Sequence, residues 1–215
     1  MARIGIIGSG VVARTLGSGF LEHGHEVTLG TRDVAQLEQW RQETGGRGQV
    51  GSFADAAAFG EIVVLATKGA ATKAAMGLAG IANLTGKTVI DTTNPIDDTQ
   101  SPRDGVLSFY TEAGDSQLER LQALAPAARM VKAFSCVGAP FMVNPPFSEK
   151  PPMFICGNDE AARRQVAGIV AQFGWEVEDA GSAAAAGAIE ALCILWCIPG
   201  FRENRWTHAF RMVKL

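Results

Sequence analysis

The sequence predicts a doubly wound α/β fold, in which helices cover both faces of a mainly parallel sheet and a small helical extension follows at the C-terminus. Two observations predict it. Short apolar segments alternate with longer segments of helical periodicity along most of the 215 residues. The apolar segments are apolar throughout, which is typical of strands buried on both faces. Such alternation favours parallel strands joined by crossover helices.

Each predicted strand is an apolar run bounded by Gly, Thr or Pro, and each predicted helix repeats its apolar residues at helical spacing. Asp33 fits an N-cap for the helix after the second strand. The Pro-rich segment 139–152 is predicted as a long loop, either a lid or a dimer arm, because proline lacks the N–H that strands and helices need. We predict strands at 3–8, 26–30, 49–53, 61–67, 87–92, 129–135, 152–156 and 175–180. We predict helices at 11–23, 33–44, 70–82, 115–125, 159–173 and 183–198.

Composition excludes several classes of protein. Hydrophobic residues make up 47% of the chain, which is enough for a packed core and excludes disorder. The net charge of −3 argues against nucleic acid as a partner, since phosphate binding needs a basic surface. Four cysteines are too few for a disulfide scaffold. The length allows one domain with an appendage, which we place at 1–181 and 182–215, the latter completing a substrate pocket or a dimer contact.

Two features bear on location. The first apolar run is four residues long and ends at Gly8, which is too short for a signal peptide, so we predict a cytoplasmic protein with reduced thiols. The longest apolar stretch, 183–201, is interrupted by Gly187, Glu190 and Pro199. We therefore predict a buried or subunit-interface helix there, and no membrane partner.

The strongest local motif is G-x-G-x-x-A between the first strand and the first helix. Gly8 permits a tight turn, Gly10 lets the backbone approach a diphosphate, and Ala13 keeps the helix close to the sheet. Backbone N–H groups at a helix N-terminus bind phosphate without a cationic side chain. The motif therefore predicts a Rossmann-type dinucleotide site, for which we select the contiguous residues Gly8, Ser9, Gly10, Val11 and Val12.

The end of the second strand predicts which dinucleotide binds. An acidic residue there holds the ribose 2′-hydroxyl of NAD, whereas an arginine accommodates the 2′-phosphate of NADP. This chain has Thr31 and Arg32, a hydroxyl and a forked cation that suits phosphate. We therefore predict NADP(H) as the cofactor.

Three later strand ends are predicted to line the nicotinamide pocket, because the carboxyl ends of parallel strands meet at one edge of the sheet. Cys136 fits a small buried or pocket-lining thiol, since no second cysteine accompanies it in a redox motif. The residues selected at these ends are Ala66, Thr67, Lys68, Asn94, Pro95, Ser135 and Cys136.

The chain resembles the coenzyme F420-dependent NADP oxidoreductase family along nearly its whole length. The cytosolic reductase domains of the STEAP ferric reductases are similar in the same places. Beside the glycine motif, the resemblance lies in residues 30–32, 91–95, 131–134, 153–159, 178–181, 189–192 and 195–196.

The resemblance implies hydride transfer between NADP(H) and a deazaflavin, F420, or a flavin such as FMN or FAD, in a homodimer. Transfer between two rings requires orientation and exclusion of water more than a protein acid, so we select no catalytic residue and no metal ligand. Two alternatives remain open. One is an NADPH-dependent imine or carbonyl reductase, with Lys68 or Lys132 as a candidate acid, and the other is a non-catalytic NADP(H)-binding sensor.

The last predicted helix contains two unusual features. Glu190 lies in an apolar environment, where an unpaired carboxylate is costly, so we expect it to meet an arginine or backbone N–H groups. Cys193 and Cys197 are four residues apart and hence on one face of the helix, where we expect core packing rather than a metal.

Overall fold

The computed structural model of the protein describes residues 1–213. Its main sheet has six parallel strands in the order β3-β2-β1-β4-β5-β6, which confirms the doubly wound α/β prediction. The strands run in register, so that Ile7 lies beside Gly30 and Leu65 at the carboxyl edge. The strands are β1 (Arg3–Ile7), β2 (Glu26–Gly30), β3 (Gln49–Gly51), β4 (Ile62–Leu65), β5 (Thr88–Asp91) and β6 (Arg129–Lys132).

Helices cover both faces of this sheet. One buried layer joins the sheet to the first and sixth helices, and the other joins it to the third, fourth, fifth and seventh. The helices are α1 (Val11–Glu22), α2 (Glu38–Glu43), α3 (Phe53–Phe59), α4 (Gly69–Ala79), α5 (Gln117–Leu124), α6 (Glu160–Gln172) and α7 (Ala186–Glu203). Short 3₁₀ turns occupy Val34–Leu37, Ile81–Leu84, Ala139–Phe141 and Ala183–Ala185.

Helix α3 was not predicted: the sequence predicts a strand over 49–53 and no helix directly after it, whereas the structure has a shorter strand followed by α3. The strand ends at Gly51, and the Ser52 hydroxyl accepts a hydrogen bond from the backbone N–H of Asp55 while the Asp55 carboxylate accepts one from the N–H of Ser52. This reciprocal arrangement is a capping box, which satisfies two N–H groups at the start of a helix. The spacing of Ser52 and Asp55 is the sequence signal that would have found the helix.

The last two strands form a separate sheet. β7 (Pro152–Ile155) and β8 (Glu176–Asp179) pair in parallel with each other, whereas the sequence suggested that they extend the main sheet. β7 approaches the edge of β6 in the antiparallel sense and meets it at a single bridge, between Lys132 and Cys156. Their backbones exchange N–H···O bonds of 2.9 and 3.4 Å. Outside this bridge the two strands belong to separate sheets.

The Pro-rich loop at 139–152 is anchored to the domain. Phe141 and Phe147 pack against the buried layer that contains α1 and α6. The Trp175 indole Nε1 donates to the Met142 carbonyl over 3.0 Å, and the Asn144 N–H donates to the Phe173 carbonyl over 2.8 Å. The segment therefore contacts the domain through side chains and backbone, and its role as a lid or a dimer arm stays a prediction.

Helix α7 is apolar along most of its length. With the preceding turn it spans Ala183–Glu203, has a mean hydropathy of 1.7 and is long enough to cross a membrane by length and composition alone. About 33% of its most apolar window is buried against the rest of the chain. Leu195 and Phe201 are exposed on it, whereas Glu190 is buried. The expectation of a core or interface helix stays a prediction.

Candidate nucleotide-binding site

The glycine loop between β1 and α1 has the geometry that a diphosphate requires. Gly8 has φ +149°, and a Cβ there would lie 2.3 Å from the Ala66 carbonyl oxygen, so only glycine fits. A Cβ on Gly10 would meet nothing within 4 Å, which means that its backbone faces open space. No side chain caps the N-terminus of α1. The N–H groups of its first turn are thus placed to bind an anion.

A cavity of about 300 Å³ lies beside this loop and is called the nucleotide cavity below. It lies at the carboxyl edge of the sheet, where parallel α/β folds bind their ligands. Eight of the residues selected from the sequence line it: Gly8, Ser9, Gly10, Thr31, Arg32, Ala66, Thr67 and Lys68.

The sequence did not reveal the outer wall of the nucleotide cavity. The alanines of α4 have the spacing of an ordinary helix packing face. The sequence alone therefore does not show that they line a ligand cavity. Gln36 lies opposite, and its side-chain carbonyl accepts a 3.4 Å hydrogen bond from the Ser9 hydroxyl. The lining residues that were missed are Gln36, Phe53, Ala71, Ala74, Ala75 and Leu78.

The segment after β2 presents a cation to the nucleotide cavity. Arg32 is exposed, and within residues 1–213 its guanidinium has no acidic partner. The Thr31 hydroxyl is engaged locally with the Asp33 backbone, donating to its carbonyl over 3.1 Å. The Asp33 carboxylate accepts from the Ala35 N–H over 3.1 Å, which confirms Asp33 as an N-cap. Arg32 therefore offers an unpaired positive charge to a ligand at the β2 end of the nucleotide cavity.

The remaining selected residues lie outside the lining of the nucleotide cavity. Val11 is exposed and Val12 half-buried at the start of α1, while Pro95 is buried after β5. Asn94 and Ser135 are brought together across the next two strand ends, where the Asn94 amide donates to the Ser135 carbonyl over 2.7 Å. Two buried atoms beside that bond, Asn94 Oδ1 and Ser135 Oγ, have no hydrogen-bond partner in the described chain.

Cys136, next to Ser135, is a buried free thiol. Burial raises its pKa to about 12, although nearby backbone N–H groups act in the opposite direction. A thiol with such a pKa is protonated at neutral pH and is a poor nucleophile. The observation fits the expectation of a small buried thiol rather than a redox group.

Lys132, Asp91 and Glu190 form a buried group of charges behind these strand ends, called the ionic cluster below. Each side chain is at most 1% exposed. The Lys132 ammonium donates to Asp91 Oδ2 over 2.6 Å, to Glu190 Oε1 over 2.7 Å and to the Thr93 carbonyl over 2.8 Å. Burial acts to lower the pKa of Lys132, but the two carboxylates outweigh it and hold that pKa above its usual value.

Glu190 also accepts hydrogen bonds from the N-terminus of helix α5, although the two lie more than seventy residues apart in the sequence. Its two oxygens accept from the N–H groups of Gln117 at 3.0 Å and Leu118 at 3.1 Å. The expected backbone N–H partners are confirmed, and the cation that accompanies them is Lys132 rather than an arginine. Because Lys132 and Glu190 are far apart in sequence, no local pattern could have paired them.

The other candidate proton donors are also engaged. Lys68 is exposed and pairs with Asp98 at 3.0 Å. The Tyr110 hydroxyl donates to the Gln117 side-chain oxygen over 2.7 Å, and burial raises the pKa of Tyr110. Within residues 1–213 no group of three His, Cys, Asp or Glu side chains could hold a metal ion.

Comparison with known proteins gives these features a context. The model of a family described as "NADP oxidoreductase coenzyme F420-dependent" matches residues 3–95. A solved structure from Arthrobacter sp. FB24, provisionally described as an F420-dependent NADP-reductase, is 32% identical to this chain. Each chain covers 100% of the other, with a TM-score of 0.93.

Two further matches are more distant. The metalloreductase STEAP3 of Rattus norvegicus is 28% identical over 190 residues, which are 88% of this chain. The chain spans only 36% of the length of that relative. A reductive aminase from Aspergillus terreus, in complex with NADPH and ethyl-5-oxohexanoate, shares the fold with a TM-score of 0.68 at 20% identity. The alignment covers 95% of this chain and 63% of the aminase.

Fold, cavity and comparisons first define a class of protein, the NADP-dependent oxidoreductases built on a Rossmann-type sheet. Within that class, the chain belongs to the coenzyme F420-dependent NADP oxidoreductase family.

Proposed function

We propose that this protein transfers a hydride between NADP(H) and the ring of a deazaflavin, F420, or of a flavin such as FMN or FAD. The observation that carries the proposal is the match with the Arthrobacter protein described as an F420-dependent NADP-reductase, in which each chain covers 100% of the other. Hydride transfer is the chemistry that the nicotinamide ring supplies once bound. This chain must bind, orient and shield the two rings.

The nucleotide cavity fits NADP(H) at its diphosphate and 2′-phosphate ends. Gly10 opens its backbone to the cavity, and the uncapped start of α1 offers N–H groups to a diphosphate. The unpaired Arg32 matches a 2′-phosphate, and no acidic residue stands at the end of β2 to select the 2′-hydroxyl of NAD. We assign the backbone N–H groups of Val11 and Val12 to the diphosphate. We assign Asn94, Pro95, Ser135 and Cys136 to the nicotinamide end.

The strand ends favour a reaction that needs no proton from the protein. Lys132 is fully buried and uses all three ammonium hydrogens, two on the carboxylates of the ionic cluster and one on the Thr93 carbonyl. Lys68 is engaged with Asp98, and the Tyr110 hydroxyl points to Gln117. Reduction of a carbonyl requires delivery of a proton as well as a hydride. Transfer between two rings mainly requires their alignment.

Stopped-flow measurement of NADPH oxidation at 340 nm tests the proposal. We expect turnover with F420 or with FMN and FAD, and none with a panel of imines and carbonyls. Turnover on the imines or carbonyls alone would establish the alternative reductase, which the fold shared with the reductive aminase makes the second candidate. Tight NADPH binding without turnover on any acceptor would indicate a sensor.

We also propose that the protein is a cytoplasmic homodimer. Leu195, Phe201 and Val106 are exposed apolar side chains on or beside α7, which suits a face covered by a second copy. The four cysteines are free thiols, which suits a reducing compartment. Light scattering after gel filtration should give twice the monomer mass, and Leu195→Glu should lower it. A monomeric wild-type protein would contradict the dimer.

A further inference from the structure

We propose that the ionic cluster of Lys132, Asp91 and Glu190 carries one net negative charge and makes the site prefer NADP⁺ to NADPH. The proposal rests on the proposed function, because it takes the nicotinamide to lie at the ends of β5 and β6. It gives a cofactor-selecting role to three side chains that touch neither ring.

The charge follows from counting hydrogen bonds. The Lys132 ammonium has three hydrogens and three acceptors, so it is protonated. Asp91 Oδ1 accepts from the Thr93 N–H at 2.9 Å and from its hydroxyl at 2.7 Å, and Asp91 Oδ2 accepts from Lys132. The Thr93 hydroxyl donates in that pair and accepts a second hydrogen bond from the Gln117 side-chain amide at 3.3 Å.

Glu190 is ionised by the same argument. Oε1 accepts from Lys132 and from the Leu118 N–H, and Oε2 accepts from the Gln117 N–H. Every oxygen of both carboxylates thus faces a donor, which leaves no acceptor for a carboxyl proton. Two carboxylates and one ammonium sum to a charge of −1.

The surroundings do not cancel this charge. Burial raises the pKa of the adjacent Cys156 thiol to about 12, so that thiol is neutral. The N-terminus of α5, which Glu190 caps, contributes a partial charge of about +0.5. Two cations line the cavity beside Tyr110 and Gln117. Arg120 is paired with Asp115, and Lys73 is exposed, so solvent screens its charge. A net negative field therefore remains.

The ionic cluster lies directly behind the predicted nicotinamide wall. Thr93, whose N–H, hydroxyl and carbonyl all bond to the cluster, is followed at once by Asn94. Asn94 in turn bonds to Ser135 at the next strand end. The nicotinamide ring is positively charged in NADP⁺ and neutral in NADPH. A buried negative charge behind the ring therefore stabilises the oxidised cofactor selectively.

Glu190→Gln is the decisive variant, because it removes the net charge while keeping most of the shape. We would measure the dissociation constants of NADP⁺ and NADPH for wild type, Glu190→Gln and Asp91→Asn, together with that of 2′,5′-ADP, which lacks the nicotinamide. Both variants should bind NADP⁺ about three- to tenfold more weakly relative to NADPH, with 2′,5′-ADP affinity unchanged. Glu190→Asp, which conserves the charge, is the matched control and should keep the wild-type ratio.

The outcomes separate the two proposals. Wild-type protein that bound neither cofactor nor 2′,5′-ADP would overturn the proposed function and this inference together. Folded variants with normal 2′,5′-ADP binding and an unchanged ratio would overturn the inference alone. If neither variant folded, the wild-type ratio would decide. NADPH bound more tightly than NADP⁺ would then overturn the selection of NADP⁺, and NADP⁺ bound at least as tightly as NADPH would support it.

Discussion

The two halves of the carboxyl edge use their charged and polar groups in opposite ways. At the ends of β1 and β2, the start of α1 has no side-chain cap and Arg32 is exposed without an acidic partner. At the ends of β5 and β6, Lys132 is saturated by three acceptors and completely buried. The first region keeps its binding capacity for a ligand, whereas the second uses it to hold the protein together. Replacing a charged side chain should therefore mainly weaken phosphate binding in the first region and mainly lower the free energy of unfolding in the second.

The largest expected difference in the free energy of unfolding is between substitutions of two lysines at strand ends. Lys132→Met leaves two buried carboxylates without their cation and should lower the free energy of unfolding by about 3–5 kcal/mol. Lys68→Met removes an exposed pair with Asp98, whose worth is at most about 1 kcal/mol. Urea unfolding of both variants measures the difference. Equal losses would contradict the division between the two regions.

Arg32→Glu tests the ligand-binding region directly. We expect it to remove about 1.5–3 kcal/mol of NADPH binding, because a charge-assisted hydrogen bond to the 2′-phosphate is lost. Preference should shift toward NADH, and the unfolding transition should stay unchanged because Arg32 is exposed. Calorimetric titration with both cofactors measures this, and unaltered discrimination would remove Arg32 from the site.

Substitution of the two motif glycines, Gly8 and Gly10, separates an effect on stability from an effect on ligand binding. Gly8→Ala should cost stability, about 1–3 kcal/mol from backbone strain alone, since its φ is +149° and the Ala66 carbonyl lies in the way. Gly10→Ala meets nothing within 4 Å and should leave unfolding unchanged while weakening diphosphate binding. Thermal unfolding and NADPH titration should therefore separate the two variants.

Alkaline pH should weaken the buried region by a smaller amount. Burial raises the pKa of Cys136 and of Cys156 to about 12 each, whereas an unfolded thiol titrates near 8.5. The unfolded chain therefore loses protons first, and stability falls as the pH rises above 8.5. At pH 9.5 each thiol should contribute a loss of about 1 kcal/mol. Cys136→Ala should flatten that slope, and an unchanged slope would contradict the shift.

The features of this molecule that the sequence predicts correctly are those determined by residues close together in the chain. The glycine turn, the Asp33 cap and the order of most strands and helices follow from short spacings, and the structure confirms them. Two predictions were wrong. The helix α3 was not predicted although its capping box begins at Ser52, and the separate pairing of β7 with β8 has no signal in the local sequence. The alanine wall of α4 and the partner of Glu190 depend on tertiary contacts, so no single segment could reveal them.

The capping of α5 by Glu190 has a consequence for synthesis of the chain. The N–H groups of Gln117 and Leu118 obtain their acceptor only from a side chain made more than seventy residues later. Until then, the start of α5 is uncapped by Glu190, and Lys132 has only the Asp91 and Thr93 oxygens. A nascent chain that has emerged only as far as residue 181 should therefore remain loosely assembled around β5 and β6. We expect the dinucleotide half to reach its final stability only after the last helix has left the ribosome.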